Sequence, residues 1–165
     1  MKTVFLDIDG VLNYTDWYVS ERNPGNLDGQ EGEIDPMCVE RVVRICQETG
    51  AKIVISSDWR VSSWGGTITR LERVGMPSEL IIDKTPYPWG VSFRKYMLDN
   101  ENEYCTRGAE INMWLREHPE CTNFVILDDR RDFTDDQQPH FVHINPKVGI
   151  TDDNVDIAIM ILNHH

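Results

Sequence analysis

Three short apolar runs of this chain end in residues able to do phosphate or metal chemistry. Val4-Phe5-Leu6 leads into Asp7-Ile8-Asp9-Gly10, Ile53-Val54-Ile55 into Ser56-Ser57, and Val125-Ile126-Leu127 into Asp128-Asp129. Carboxylates gathered at one place can hold a hard cation such as Mg²⁺, and one of them can act as a covalent nucleophile. A hydroxyl beside them can hydrogen-bond an anionic oxygen, and a cation can balance the charge that develops. Each short motif has an ordinary alternative. Asp and Gly are common turn residues, and Asp129 can equally cap a turn. The argument rests on three distant segments sharing one pattern.

The elements that must position these groups follow from periodicity. Thr3 to Leu6 is short, apolar and β-branched or aromatic, so it reads as a buried strand. Asp35 as N-cap, Pro36 at the first position and Gly50 at the end bound a helix whose stripe is Val39, Val42, Val43 and Cys46. Ala51 to Ile55 is a second strand, Thr67 to Val74 a short helix, and Glu79 to Ile82 a third strand. Asp83 to Thr106 reads as irregular. A helix from about Gly108 carries Ile111, Trp114 and Leu115 on one face, with Pro119 beyond its end. Asn123 to Leu127 and Phe141 to Ile144 are the last strands. Thr151 caps a final helix with Val155, Ala158, Ile159 and Leu162 facing inward. Strand and helix alternate, which predicts an α/β fold: a Rossmann-like three-layer sandwich around a mostly parallel sheet. In such a sheet the carboxyl ends of the strands share one edge, where ligands bind.

Size and charge set limits. The 165 residues suit a single domain over 1–165, with the polar segment Tyr14 to Glu33 as a loop or small flap over the site. A net charge of −12 argues against long tracking along a nucleic-acid backbone, although one phosphate end can still be held through a metal and a few arginines. No run of residues is apolar enough to cross a bilayer, and the N-terminus has no signal-peptide pattern, so a cytoplasmic location is expected. Cys38, Cys46, Cys105 and Cys121 have no metal-site spacing and read as free thiols. His164 and His165 are given no function.

The order Asp7-x-Asp9, Ile55-Ser56 and Leu127-Asp128-Asp129 resembles the haloacid dehalogenase (HAD) superfamily of phosphatases, with little or no cap. Ser56-Ser57-Asp58-Trp59-Arg60, Arg107-Gly108-Ala109-Glu110-Ile111 and Leu127-Asp128-Asp129-Arg130 look like the small phosphatase domains of nucleic-acid repair proteins. These include the 3′-phosphatase part of polynucleotide kinase–phosphatases.

The resemblance implies the following roles. Asp7 attacks phosphorus, and Asp9 protonates the leaving oxygen and later helps deprotonate water. Asp7, the backbone carbonyl of Asp9 and Asp128 hold Mg²⁺, with Asp129 acting through water. Ser56, or Ser57 if the strand ends one residue later, contacts a phosphoryl oxygen. Arg107 or Lys84 is the motif cation, and Arg60 is a further contact to a substrate phosphate. The implied substrate is a phosphomonoester, either a DNA or RNA 3′-phosphate end or a nucleotide. A small metabolite, a receiver-like module and a catalytically silent binding domain are the alternatives. Trp17, Tyr18, Trp59 and Trp64 are candidates to stack a base, with core burial expected for at least two of them.

Overall fold

A computed structural model describes residues 1–25, 32–86 and 106–164. Part of the expected flap (26–31), most of the expected irregular stretch (87–105, with Cys105) and His165 lie outside the described residues.

The elements run β1 (Lys2–Leu6), α1 (Thr15–Tyr18), α2 (Pro36–Thr49), β2 (Lys52–Ile55), α3 (Trp59–Ser62), α4 (Trp64–Arg73), β3 (Ile81–Lys84), α5 (Arg107–Glu117), β4 (Asn123–Asp128), β5 (Phe141–His143) and α6 (Asp152–Asn163). The five strands form one parallel sheet in the order β3-β2-β1-β4-β5. This is the expected α/β, Rossmann-like architecture.

Alternation along the strands divides the core. Val4, Leu6, Ile53, Ile55, Val125 and Leu127 face one way and pack with buried residues of α2 and α6, including Val39, Val42, Val155 and Ala158. Phe5, Val54 and Ile126 face the other way, against Ile111 and Trp114 of α5. Phe5 meets Trp114 edge to face at 5.3 Å between centroids, a favoured geometry for an aromatic pair.

The sequence-derived ends shift in places. The helix expected at Thr67–Val74 starts at Trp64, because the Ser63 side chain caps the Gly66 amide and carries the helix through Gly65-Gly66. The third strand begins and ends two residues later than expected, since residues 78–80 form a 3₁₀ turn, and it takes in Asp83 and Lys84. The short helices α1 and α3 were not foreseen; four residues are too few for a periodic signal. Ile159 is half-buried rather than buried. Asp35 caps α2 as read, accepting from the Met37 amide, and Gly50 ends it at φ 72°. Among the described residues, Cys38, Cys46 and Cys121 are free, and no helix is long and apolar enough to cross a membrane.

Candidate active site at the strand ends

In-register pairing places the chemistry. Leu6 lies opposite Ile55 on β2 and Leu127 on β4. The next residues, Ser56, Asp7 and Asp128, therefore form a row across three neighbouring strands. Asp7 donates its amide to the Leu127 carbonyl at 3.0 Å, and Ser56 donates to Leu6 at 2.8 Å, which carries the ladder one residue further. The period of two gives this row the parity of Phe5, Val54 and Ile126, the face covered by α5. The first residue of α5 is Arg107.

The Arg107 side chain enters that row. Its Nη2 lies 3.8 Å from Asp7 Oδ1, its Nε 3.5 Å from Asp128 Oδ2, and its Nη1 donates to the Ser56 carbonyl. A cation at a helix N-terminus faces an unfavourable dipole, so the two carboxylates account for its position. Arg107 and Asp7 are each 5% exposed or less, and Asp128 is fully buried. The backbone of Arg107 is held in turn by Asp132, whose Oδ2 accepts its amide at 3.0 Å. Gly108 lets this helix start press on the 133–137 loop, since a Cβ there would meet Gln137 Oε1 at 2.6 Å.

Several buried polar atoms at this edge lack a hydrogen-bond partner: Asp7 Oδ1, Asp128 Oδ2, Ser56 Oγ and Arg107 Nε. Unpaired buried oxygens are costly, and their clustering marks a place for a ligand. Asp7, Asp128 and Asp129 each bring a carboxylate oxygen within 4.8 Å of the others. An all-oxygen donor set suits Mg²⁺, so these residues fit the ion that HAD domains generally use. Asp129 reaches the cluster past Gly10, whose φ of +83° favours glycine and whose missing side chain leaves the space: a Cβ there would lie 2.5 Å from Asp129 Oδ2.

Burial shapes the charges. It pushes the Asp7 carboxyl well above the ordinary range, the Asp128 charge adds to this, and Arg107 opposes it. Burial likewise pushes Asp128 up to about 6, again opposed by Arg107. The sign follows directly. A folded-state acid that holds its proton more tightly than the unfolded chain costs stability once it ionises. In metal-free protein, the contribution of Asp128 is expected to fall as pH rises from about 4 to about 6. Asp128→Asn should therefore gain stability relative to wild type across that window. Denaturant titrations of both proteins at several pH values check this.

The other expected site residues fall as follows. Ser57 is buried, its hydroxyl draws the Asp7 carboxyl downward against burial, and its Oγ accepts from the Trp59 amide at 3.4 Å. Asp9 is exposed at the mouth, where its carboxylate accepts from Asn13 Nδ2 at 2.8 Å and from Trp59 Nε1 at 3.0 Å to each oxygen. Lys84 donates to the Arg60 carbonyl at 3.4 Å and lies over the Trp64 ring at 5.1 Å. Arg60 is 2% exposed; it pairs with Glu110 Oε2 at 2.7 Å and donates to the carbonyls of Ser57, Thr85 and Pro86 at 2.6, 3.0 and 3.3 Å. Of the four aromatic candidates, Trp17 is core, with its indole N–H on the Gly32 carbonyl. Trp59 and Trp64 are half-buried, and Tyr18 is exposed. Sequence reasoning missed the roles of Asn13, Trp59 and Glu110. The only available signals were the four-residue step from Asp9 to Asn13 and the length of the Ser56–Arg60 phrase, neither of which specifies a contact.

No curated protein and no solved structure matches the chain. Residues 3–155 match the family described as the HAD domain in Swiss Army Knife RNA repair proteins. That range holds all the strands but for Lys2 of β1, the acidic cluster and Arg107, and the chain belongs to this family of HAD domains.

Proposed function

We propose that this HAD-type hydrolase domain is a Mg²⁺-dependent phosphomonoesterase that works through an aspartyl-phosphate, on a nucleic-acid 3′-phosphate end or a nucleotide. The observation that carries this reading is the row of unpaired buried oxygens on Asp7, Ser56 and Asp128, with Arg107 across it. Asp7, Asp128 and the Asp9 carbonyl would hold the ion, with Asp129 acting through water. When bound, Mg²⁺ neutralises phosphate charge in a protein whose own net charge is −12.

The Asp7 carboxylate attacks phosphorus, the bond from phosphorus to the leaving oxygen breaks, and Asp9 gives that oxygen its proton. Water then attacks the aspartyl-phosphate and Asp9 takes a proton from it. The bond from Asp7 to phosphorus breaks and inorganic phosphate leaves. Ser56 hydrogen-bonds a phosphoryl oxygen, while Ser57 holds Asp7. The 3.8 Å approach of Arg107 to Asp7 supports Arg107 over Lys84 as the motif cation.

Two features support a polymeric or nucleotide substrate. The family is that of HAD domains in RNA repair proteins. The described part of the segment between β1 and α2 carries the short α1, and the segment as a whole is too short in sequence for a large helical cap, which suits a bulky substrate group. We read residues 1–165 as one domain, with a loop or small flap inserted at about 14–33.

Purified protein incubated with 3′-phosphorylated oligonucleotides, 3′-mononucleotides and sugar phosphates is expected to release phosphate from the first two, to stop in excess chelator and to recover with Mg²⁺. Hydrolysis of sugar phosphates alone would overturn the nucleic-acid assignment, and undiminished activity in chelator would overturn the metal.

A further inference from the structure

We propose that Trp59 and Asn13 are positioning residues that aim the Asp9 carboxyl at the leaving oxygen. The inference rests on the function proposed above and assigns a task to two residues outside its catalytic set.

The geometry distinguishes the two oxygens of Asp9. Asn13 Nδ2 donates to Oδ1 at 2.8 Å, and the Trp59 indole N–H is shared between Oδ1 and Oδ2 at 3.0 Å to each. Oδ1 thus takes two donors and Oδ2 a share of one. Asn and Trp nitrogens donate only, so neither can accept a proton from the carboxyl. The proton that Asp9 delivers therefore belongs on Oδ2, the oxygen with the freer lone pairs. A carboxyl on an exposed turn has two free torsions, and proton transfer needs the donor within about 3 Å of the leaving oxygen. Two fixed donors remove that freedom before substrate arrives.

Both partners are themselves anchored. Asn13 Oδ1 accepts the Gly10 amide at 2.9 Å, tying it to the turn that carries Asp9. Trp59 opens α3 two residues after Ser57, its carbonyl accepts from Thr67 Oγ1 at 2.8 Å, and Arg70 lies over its ring at 5.3 Å. The indole therefore links the serine-bearing end of β2 to the acid that follows β1. This gives a physical reason for a tryptophan in the Ser56–Arg60 phrase: only its N–H reaches across while its ring stays packed.

The test is leaving-group dependence. An alkyl phosphate such as the 3′-phosphate of an oligonucleotide needs its departing ribose oxygen protonated, whereas 4-nitrophenyl phosphate releases a stable phenolate without help. Trp59→Phe keeps the ring and removes the N–H. It is expected to lower kcat on the alkyl ester by roughly 10-fold to 100-fold, to change kcat on the nitrophenyl ester less than about threefold, and to leave KM for both nearly unchanged. Asn13→Ala should show the same pattern.

A purely structural role would lower both esters equally, so equal losses, or no loss on either, would overturn the inference and leave the function standing. Wild-type protein that hydrolyses neither ester overturns the function and the inference together. A second readout needs no turnover. The Trp59 indole ¹⁵N–¹H resonance, identified by its loss in Trp59→Phe, should shift in Asp9→Asn while those of Trp17, Trp64 and Trp114 stay in place; an unmoved resonance overturns the contact.

Discussion

Asp7→Asn is expected to lower phosphomonoester hydrolysis by roughly 10⁴-fold or more, the scale seen when a covalent nucleophile is removed. The asparagine amide keeps the size of the carboxyl but cannot form the phosphorylated intermediate, and its nitrogen presents hydrogens to a metal. The effect should therefore appear in kcat and not be rescued by added Mg²⁺. The fold should survive, because the wild-type side chain contributes destabilisation where it sits. It is 3% exposed, one oxygen is unpaired, and burial together with the Asp128 charge pushes its carboxyl upward against the opposing pull of Arg107. Metal-free Asp7→Asn is expected to melt at a higher temperature than metal-free wild type, with the difference shrinking as Mg²⁺ is added to both. A loss of activity that comes with a lower melting temperature would mean that Asp7 supports the fold and would leave its chemical role unproven. Stability given up at a site of function is the common pattern.

Arg60→Ala should have the largest effect on stability. Its guanidinium closes a buried ion pair with Glu110 and meets three backbone carbonyls, two from the turn after β3 and one from Ser57. Burial lowers the affinity of Arg60 for its proton and raises that of Glu110, while each charge restrains the shift of the other. Deleting one partner strands the second, which costs about 3–5 kcal/mol for buried pairs. In a domain of this size that corresponds to a fall in Tm of roughly 6–20 °C.

The same experiment separates this reading from a substrate contact. A phosphate-binding arginine would raise KM while leaving the melting temperature in place. A bracing arginine lowers the melting temperature, and Arg60→Lys, which cannot reproduce the fork of donors, should recover little of it. Because Glu110 lies on α5, three residues after Arg107, the brace also sets the position of the cation that faces Asp7 and Asp128.

Local chemistry made much of this protein legible. Buried parallel strands read as continuous apolar runs, so β1, β2 and β4 were found to within one residue at each end, and a change from apolar to acid or hydroxyl marks where each strand leaves the core. Caps are local too: Asp35, Gly50 and Thr151 bound their helices as their side chains and backbone freedom require. Short elements carry no period, and helix α1 was hidden for that reason.

The site divides along the same line. That Asp7, Ser56 and Asp128 belong together could be read from three strand ends in a parallel fold, because in-register ladders align equal positions. Which cation joins them could not be read, since Arg107 and Lys84 both follow strands or precede helices at plausible distances in sequence. Parity decided it: Asp7 shares the face of Phe5, and α5 covers that face with Arg107 at its start. The contacts of Arg60 with Glu110 and of Trp59 with Asp9 span 50 residues each in the chain. Contacts of that separation follow from how helices pack on the sheet, and no spacing rule in the chain encodes them.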